Sequence, residues 1–223
     1  MTSTVTIPAK PGPVSFDLTK TALIIIDMQK DFLEKGGFGE SLGNDVGKLF
    51  KAVAPCKAVL DACRNQDDVL IIHTREGHRP QEVCISKHKL SQTNNCIGKA
   101  GAFGRILIRG EKGHDIIPQV YPLESEVVLD KPGKGSFFAT DLELILRAQN
   151  IENLIVCGVT TEVCVHTTVR EANDRGFHCL VIEDACASYI DEFHAAAIKM
   201  VWAQGGIFGN VASSEELIKA LQA

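Results

Sequence analysis

Three side chains capable of hydrolytic chemistry each follow a strand-like apolar run: Asp27, Lys131 and Cys164. Cys164 lies in the first turn of a predicted helix, for which Thr160 or Thr161 is a plausible N-cap. Unpaired N–H groups and the helix dipole lower the pKa of a thiol there and can hold a developing oxyanion. Cys164 is therefore a candidate nucleophile for acyl transfer, with a buried and inert cysteine as the alternative.

Asp27 and Lys131 are the candidate partners of that thiol. Asp27 ends an Ile-rich run in which an acid has no packing role, so it is a candidate proton shuttle, or else a turn cap or structural ion pair. Lys131 is a candidate cation that keeps Asp27 and Cys164 in reactive protonation states, or else a solvated surface lysine. Ligands of open parallel sheets bind at the carboxyl ends of the strands. The shared placement of these residues at strand ends therefore favours one common site.

Sequence signatures of other active sites are missing. No GxGxxG follows a predicted strand and no GxxxxGK[ST] occurs, so nucleotide binding lacks support. The chain also has no GxSxG, no CxxC and no HExxH motif. We therefore expect no cofactor and no metal ion.

Short apolar runs alternate with helical patterns along the chain. The runs rich in β-branched residues are 22–27, 69–73, 127–130, 154–157 and 179–184, and Ile207-Phe208 is expected to form a sixth, shorter strand. Helical spacing is seen in 45–65, 140–149, 162–175, 192–203 and 213–222. Strands that are apolar on both faces and separated by helices are typical of a buried parallel sheet. The pattern predicts a three-layer α/β/α fold with helices on both faces of the sheet.

The domain organisation follows from where this alternation begins. Residues 1–20 are polar and carry Pro8, Pro11 and Pro13, so we expect an extended arm on the surface or on a neighbouring subunit. Residues 21–223 are expected to form a single domain. Within it, residues 75–125 are rich in Gly and Pro, and so long a loop-rich stretch is usually functional or interfacial.

Composition limits the possible partners and the compartment. The 223 residues carry 23 Lys and Arg against 28 Asp and Glu, a formal charge of −5, without a basic block, so we expect no nucleic-acid partner. The apolar runs are too short for a membrane span. Eight cysteines without a disulfide-type pattern, and an N-terminus without an apolar signal segment, predict a cytoplasmic protein.

Three segments together resemble the isochorismatase-like cysteine hydrolases: LIIIDMQKDF (23–32), DKPGKGSFFATDLELIL (130–146) and VCGVTTEVCVHTTVREANDRGF (156–177). The resemblance spans about residues 20–215. It implies a six-stranded parallel α/β/α sandwich, a homotetramer, and a catalytic triad of Asp27, Lys131 and Cys164. It also implies a cis peptide between Val159 and Thr160, with the N–H groups of Thr160 and Cys164 as the oxyanion hole.

Four further segments resemble the biuret hydrolases of that family: GGFGESLGND (36–45), HTREGHRP (73–80), GRILIRGE (104–111) and the MVxxQGGxFG pattern of 200–209. The resemblance implies that Gln204 recognises the carbonyl or amide of the substrate, that Phe32 lines the pocket, and that Thr161 is a further substrate contact. Nicotinamidase relatives bind a metal through a D-x-H motif after the second strand. This chain lacks that motif, which again predicts no metal.

The activity implied by the resemblance is hydrolysis of a small urea-like linear amide, with biuret giving allophanate and ammonia. Triuret, ureidoacrylate and N-carbamoyl amides remain open as substrates, although the HTREGHRP run argues against ureidoacrylate. No single residue separates biuret from triuret. A non-catalytic oligomeric scaffold is the alternative outside the enzymes.

Overall fold

A computed structural model of the chain describes residues 4–92 and 96–223. The described part contains ten strands, numbered in chain order: β1 Thr4–Ile7, β2 Val14–Asp17, β3 Thr21–Ile26, β4 Leu70–Glu76, β5 Ala100–Gly101, β6 Gly104–Arg105, β7 Val127–Lys131, β8 Asn153–Val159, β9 His178–Ala187 and β10 Asn210–Ala212. Its α-helices are α1 Lys30–Leu33, α2 Phe38–Ser41, α3 Gly47–Phe50, α4 Val53–Arg64, α5 Lys87–Ser91, α6 Leu142–Ala148, α7 His166–Asp174, α8 Asp191–Gly206 and α9 Ser214–Leu221.

Six of the strands form one parallel sheet, in the order β10-β9-β8-β3-β4-β7. The chain starts at the centre with β3, continues outward through β4 to β7, and then returns to β8 on the other side of β3. Every residue of β3 and of β8 is buried, because both faces of the sheet are covered. Helices α4 and α9 pack together against β9, while α7 and α8 form a second pair that also contacts β9. The predicted three-layer α/β/α fold is confirmed.

Two examples show how predicted elements are divided or displaced in the structure. The helical pattern of 45–65 is divided into the short α3 and the longer α4. The sixth strand is β10, Asn210–Ala212, and not Ile207-Phe208. The chain leaves α8 through left-handed φ angles at Gln204, Gly205 and Gly206, which keep the next residues in a turn and delay the strand.

The described residues of the N-terminal arm fold back onto their own chain. β1 and β2 form an antiparallel hairpin in which Ile7 and Phe16 are buried, and β1 contacts α9. Lys10 exchanges backbone hydrogen bonds with Val211, on the edge strand β10. The segment is therefore a packed hairpin at the sheet edge, where an extended arm was expected. Residues 1–3 of the predicted arm lie outside the described part.

None of the helices in the described part of the chain is long and apolar enough to cross a membrane.

Candidate active site

The predicted reactive residues meet at the point where the sheet changes direction. Strand β3 lies between β8 and β4, so its end is the topological switch point at which ligands of open α/β sheets bind. Asp27 directly follows β3, and Cys164 lies in a π-helical turn, Thr161–Val165, that follows β8. A side chain at Gly158 would come within 2.1 Å of the Ile26 carbonyl oxygen, so glycine allows the two strands to approach here.

Lys131 is the buried cation of this site. It is the last residue of β7, and its ammonium lies 2.7 Å from Asp27 Oδ2. The same ammonium donates hydrogen bonds to the carbonyl oxygens of Gly133 (3.0 Å) and Lys134 (2.9 Å), while Asp27 Oδ2 is paired with it by charge and accepts no hydrogen bond within the described part of the chain. Burial lowers the pKa of Lys131, but Asp27, Cys164 and Glu76 together outweigh that effect, so the pKa is raised and the ammonium stays charged.

Asp27 is fully buried and held from two sides. Its Oδ1 accepts a hydrogen bond from the Thr74 hydroxyl (2.7 Å), and its Oδ2 faces Lys131. Burial raises the pKa of the Asp27 carboxyl above its ordinary value, and Lys131 opposes that shift only in part. Asp27 is thus a carboxylate that takes up a proton more readily than an exposed aspartate does.

Cys164 is 4% exposed, and this burial changes the expected protonation of its thiol. Desolvation raises the pKa of Cys164 well above its ordinary value, although Lys131 and Lys134 act in the opposite direction. The expected lowering by a helix N-terminus is therefore wrong for the resting site, because the strands and loops that cover the turn remove water from the sulfur. The thiol is protonated at rest, so a nearby base must take its proton before it can attack.

Glu76 is a third charged residue beside the thiol, and sequence reasoning missed it. Its Oε2 lies 3.5 Å from Cys164 Sγ and 4.0 Å from Lys131 Nζ, while its Oε1 accepts from Lys134 Nζ at 2.5 Å. Burial raises the pKa of Glu76, but Lys134 and Lys131 outweigh it, so the pKa lies below its ordinary value. We call Asp27, Glu76, Lys131 and Cys164 the catalytic cluster, after the role that we propose for them.

The length of strand β4 is the feature that could have identified Glu76 from the sequence. The apolar run ends at His73, but β4 continues to Glu76, where the carboxylate falls beside Lys131 in the sheet register. Gln29 holds this strand end, because its side chain accepts from the Glu76 N–H (2.7 Å) and donates to the Glu76 carbonyl (3.0 Å). The glutamine of the D-x-Q motif therefore positions the second carboxylate.

The catalytic cluster also contains a possible metal-ligand set. Asp27, Glu76 and Cys164 each offer one ligand atom, and these atoms lie within 4.8 Å of one another. However, the Lys131 ammonium contacts Asp27 at 2.7 Å and Lys134 binds Glu76, so lysine cations already neutralise the two carboxylates. This donor set fits a lysine-containing site better than it fits a divalent metal.

The predicted substrate contacts do not all reach the cluster. Phe32 is buried with its ring edge-on to Phe38, and Phe38 lines a cavity of about 380 Å³ whose wall includes Lys134. Thr161 is buried in the turn that carries Cys164, but its hydroxyl is hydrogen bonded to His194 Nδ1 at 2.8 Å. Phe32 and Thr161 thus lie on the elements that surround the site.

Gln204 lies elsewhere in the chain. Helix α8 begins after the carboxyl end of β9 and runs back towards the start of β10, and its regular part ends at Trp202, about 17 Å from Asp191. Gln204 follows that end and is exposed. The structure of the single chain therefore does not bring Gln204 to the catalytic cluster.

Two further features border the site. The peptide between Val159 and Thr160 is cis, as the resemblance implied. Tyr189, which sequence reasoning did not select, donates a hydrogen bond from its hydroxyl to the Phe32 carbonyl (2.8 Å). Burial, followed by the charges of Glu162 and Cys164, raises the pKa of Tyr189, so its hydroxyl stays protonated beside the site.

The fold is a three-layer α/β/α sandwich with a cysteine at the switch point, and a solved structure shares this fold. A cysteine hydrolase from Pseudomonas syringae pv. phaseolicola 1448A superposes with a TM-score of 0.77 at 25% identity, covering 93% of this chain and 94% of the other.

Residues 21–216 match the Isochorismatase domain, and the chain belongs to the isochorismatase family. It is 30% identical to the ureidoacrylate amidohydrolase RutB of Yersinia enterocolitica, over 79% of each chain. It is 29% identical to RutB of Serratia proteamaculans, over 82% of this chain and 75% of the relative. The protein is thus a hydrolase of this family, and these two relatives are named for hydrolysis of an amide carbon–nitrogen bond.

Proposed function

We propose that the chain is a cysteine amidohydrolase acting on a small urea-like linear amide, and that biuret is its substrate, giving allophanate and ammonia. The observation that carries this proposal is a buried thiol beside two carboxylates and a buried lysine, at the switch point of the sheet. A non-catalytic scaffold has no need for buried charges around a cysteine, since each buried ion carries a desolvation cost.

The first half of the reaction forms a thioester. Asp27 takes the proton of the Cys164 thiol, and the sulfur attacks the terminal carbonyl carbon of the substrate. The backbone N–H groups of Thr160 and Cys164 stabilise the oxyanion. The carbon–nitrogen bond then breaks as Asp27 returns the proton to the leaving nitrogen, which departs as ammonia.

The second half hydrolyses the thioester. Asp27, again a carboxylate, takes a proton from a water molecule that attacks the thioester carbonyl. The carbon–sulfur bond breaks, the acid product leaves, and Asp27 protonates the Cys164 sulfur, which restores the resting thiol. The raised pKa of Asp27 suits this role, because a shuttle must both accept and release a proton near neutral pH.

A second candidate substrate is ureidoacrylate or a related N-carbamoyl compound. The names of the two relatives favour it, since both are ureidoacrylate amidohydrolases at 29% and 30% identity. Triuret differs from biuret by one carbamoyl unit and remains a third candidate. All of these compounds offer the same carbamoyl carbonyl to the thiol, so the catalytic steps apply to each of them.

A substrate panel tests the proposal. Ammonia release is measured with biuret, triuret, ureidoacrylate and nicotinamide at equal concentration, using the wild-type enzyme and its Cys164→Ala variant. The proposal predicts that the wild type has its highest kcat/KM on biuret and that the variant is inactive. A preference for ureidoacrylate would replace the substrate but keep the chemistry. Activity retained by Cys164→Ala would overturn the nucleophile assignment.

We further propose that the chain forms a homotetramer in the cytoplasm. Phe193, Met200 and Ile207 are about half exposed, which supports burial in an assembly, and none of the buried cysteines is in a disulfide, which supports a reducing compartment. Because Gln204 is remote from the catalytic cluster of its own chain, its proposed substrate contact requires a neighbouring subunit. Sedimentation velocity gives the mass of the assembly. A monomeric protein with full activity would contradict both the homotetramer and the substrate contact of Gln204 from a neighbouring subunit.

A further inference from the structure

The carboxylate oxygen atoms around the Cys164 sulfur differ in the partners that they contact. Asp27 Oδ1 accepts from the Thr74 hydroxyl, Asp27 Oδ2 faces Lys131, and Glu76 Oε1 accepts from Lys134. For Glu76 Oε2, the thiol of Cys164 is the hydrogen-bond donor that the described part of the chain supplies, at 3.5 Å. One carboxylate oxygen therefore depends on the proton that catalysis removes.

Loss of the thiol proton leaves that oxygen without a donor. When Asp27 takes the proton and the sulfur attacks, Glu76 Oε2 loses the thiol as its donor, and a buried charged acceptor without a partner is unfavourable. Lys131 does not fill the gap, because its ammonium lies 4.0 Å from this oxygen and donates hydrogen bonds to two carbonyl oxygens. A substrate that carries an N–H can supply the missing donor.

The geometry brings a substrate N–H close to this oxygen. A reactive complex places the carbonyl carbon about 3–3.5 Å from the sulfur, and a bonded amide nitrogen lies about 1.3 Å beyond that carbon. Since Oε2 is itself 3.5 Å from the sulfur, a nitrogen on that carbon comes within hydrogen-bond reach of it when the substrate approaches the sulfur from the side of Oε2.

We propose that Glu76 is a specificity-determining residue that accepts a hydrogen bond from the N–H of the substrate nitrogen that stays bonded to the scissile carbonyl carbon. This proposal rests on the proposed cysteine mechanism and defines its substrate class. Carbamoyl compounds, with nitrogen on both sides of the carbonyl, are accepted. Simple amides with carbon at that position leave Oε2 unsatisfied and are rejected.

Glu76 is held as a fixed and ionised acceptor. Gln29 binds both its N–H and its carbonyl, and Lys134 binds its other oxygen. The two lysines also keep the carboxyl ionised despite its burial, so it accepts and does not donate. A preorganised buried acceptor of this kind discriminates strongly, because an analogue without the matching donor leaves a buried charge unpaired.

A substrate-by-variant cycle tests the proposal. Biuret is compared with malonamide, in which CH2 replaces the central N–H, for the wild type and for Glu76→Gln. We expect the wild type to prefer biuret by at least about 100-fold in kcat/KM, and Glu76→Gln to reduce that preference at least about tenfold. If Glu76 only orients the thiol, both substrates lose the same factor and the preference is unchanged, which overturns the proposal.

Two controls separate other causes of lost activity. Glu76→Asp keeps the charge and is expected to retain part of the preference for biuret, while Glu126→Gln removes a buried carboxylate elsewhere and should leave the preference unchanged. Thermal unfolding identifies any variant that fails to fold. If the wild type hydrolyses ureidoacrylate and not biuret, the proposed substrate fails, and the same cycle is run with ureidoacrylate against 4-carbamoylbut-2-enoate. An unchanged preference in that pair overturns the role of Glu76 independently.

Discussion

Two buried charge clusters lie at opposite ends of strand β7, and both combine carboxylates with cations. The catalytic cluster is at the carboxyl end of the strand, around Lys131. At its start, Glu126 is bound by Arg64 and His73, and we call these three residues the structural cluster. Burial and charge pairing do not distinguish them, since Glu126 and Glu76 both have a pKa below the ordinary value of a glutamate.

The two clusters differ in how their carboxylate oxygens are used. Glu126 accepts two hydrogen bonds from Arg64, one from the Leu123 N–H and one from His73 Nε2. Burial lowers the pKa of His73, so its ring is neutral and donates to the carboxylate. In the catalytic cluster, by contrast, one oxygen of Glu76 depends on a reactive thiol. An ion-pair network therefore indicates a reactive site when it includes a nucleophile and leaves an acceptor for the substrate.

The largest effect is expected for the nucleophile. Cys164→Ala should lower kcat/KM for the best substrate by at least about 10⁴-fold, because covalent catalysis is lost entirely. Cys157→Ala is the matched control, since Cys157 is a buried thiol on β8 whose sulfur contacts Cys56 at 3.5 Å. The control should keep its activity within about threefold. Equal losses in the two variants would show that Cys164 is only a core residue.

The proton shuttle comes next. Asp27→Asn should lower kcat by about 10²–10⁴-fold, the usual contribution of general acid–base catalysis. The carboxyl must be ionised to accept the thiol proton, and its pKa is raised, so wild-type activity should fall as the pH decreases through that pKa. The pH profile of kcat/KM measures this, and the acidic limb due to Asp27 should disappear in Asp27→Asn, which leaves only the fall at lower pH that protonation of Glu76 causes. An acidic limb that persists at the same pH in the variant would assign the shuttle to another group.

Some features of the catalytic cluster can be predicted from the sequence and others cannot. The difference is whether the residues that determine a feature lie close together in the chain. Asp27, Lys131 and Cys164 were predicted correctly as strand-end residues because parallel strands share one reactive edge. Glu76 was missed because polar residues at the end of β4 hide the true strand end. The pKa direction of Cys164 was wrong because the elements that bury its sulfur come from distant parts of the sequence.

A smaller effect is expected from the cation that holds Glu76. Lys134→Gln removes the charge that lowers the pKa of Glu76, so that pKa should rise and the carboxylate should be protonated at a higher pH. If the pKa of Glu76 rises by one unit, the fraction of ionised Glu76 falls about tenfold at a pH below that pKa. The loss of kcat/KM should therefore grow as the pH is lowered. Lys89 and Lys134 both line the cavity of about 380 Å³ beside Phe38. Lys89→Gln is therefore the control and should leave the pH profile unchanged.

The structural cluster should affect stability and leave the chemistry unchanged. The pKa of Glu126 is lowered from 4.5 to about 2 in the folded chain, since hydrogen bonds from Arg64 and Leu123 outweigh its burial. Its stabilising contribution is therefore present above pH 4.5 and is lost as the pH falls towards 2. Glu126→Gln should lower the free energy of unfolding at pH 7 by on the order of 1–2 kcal/mol, after allowance for solvent screening, with kcat/KM retained. Denaturant unfolding between pH 2 and 7 measures this contribution. Unchanged stability and impaired turnover in Glu126→Gln would contradict the distinction between a structural and a catalytic cluster. The ion pair between Glu126 and Arg64, at the start of β7, would then affect the reaction at the other end of the strand.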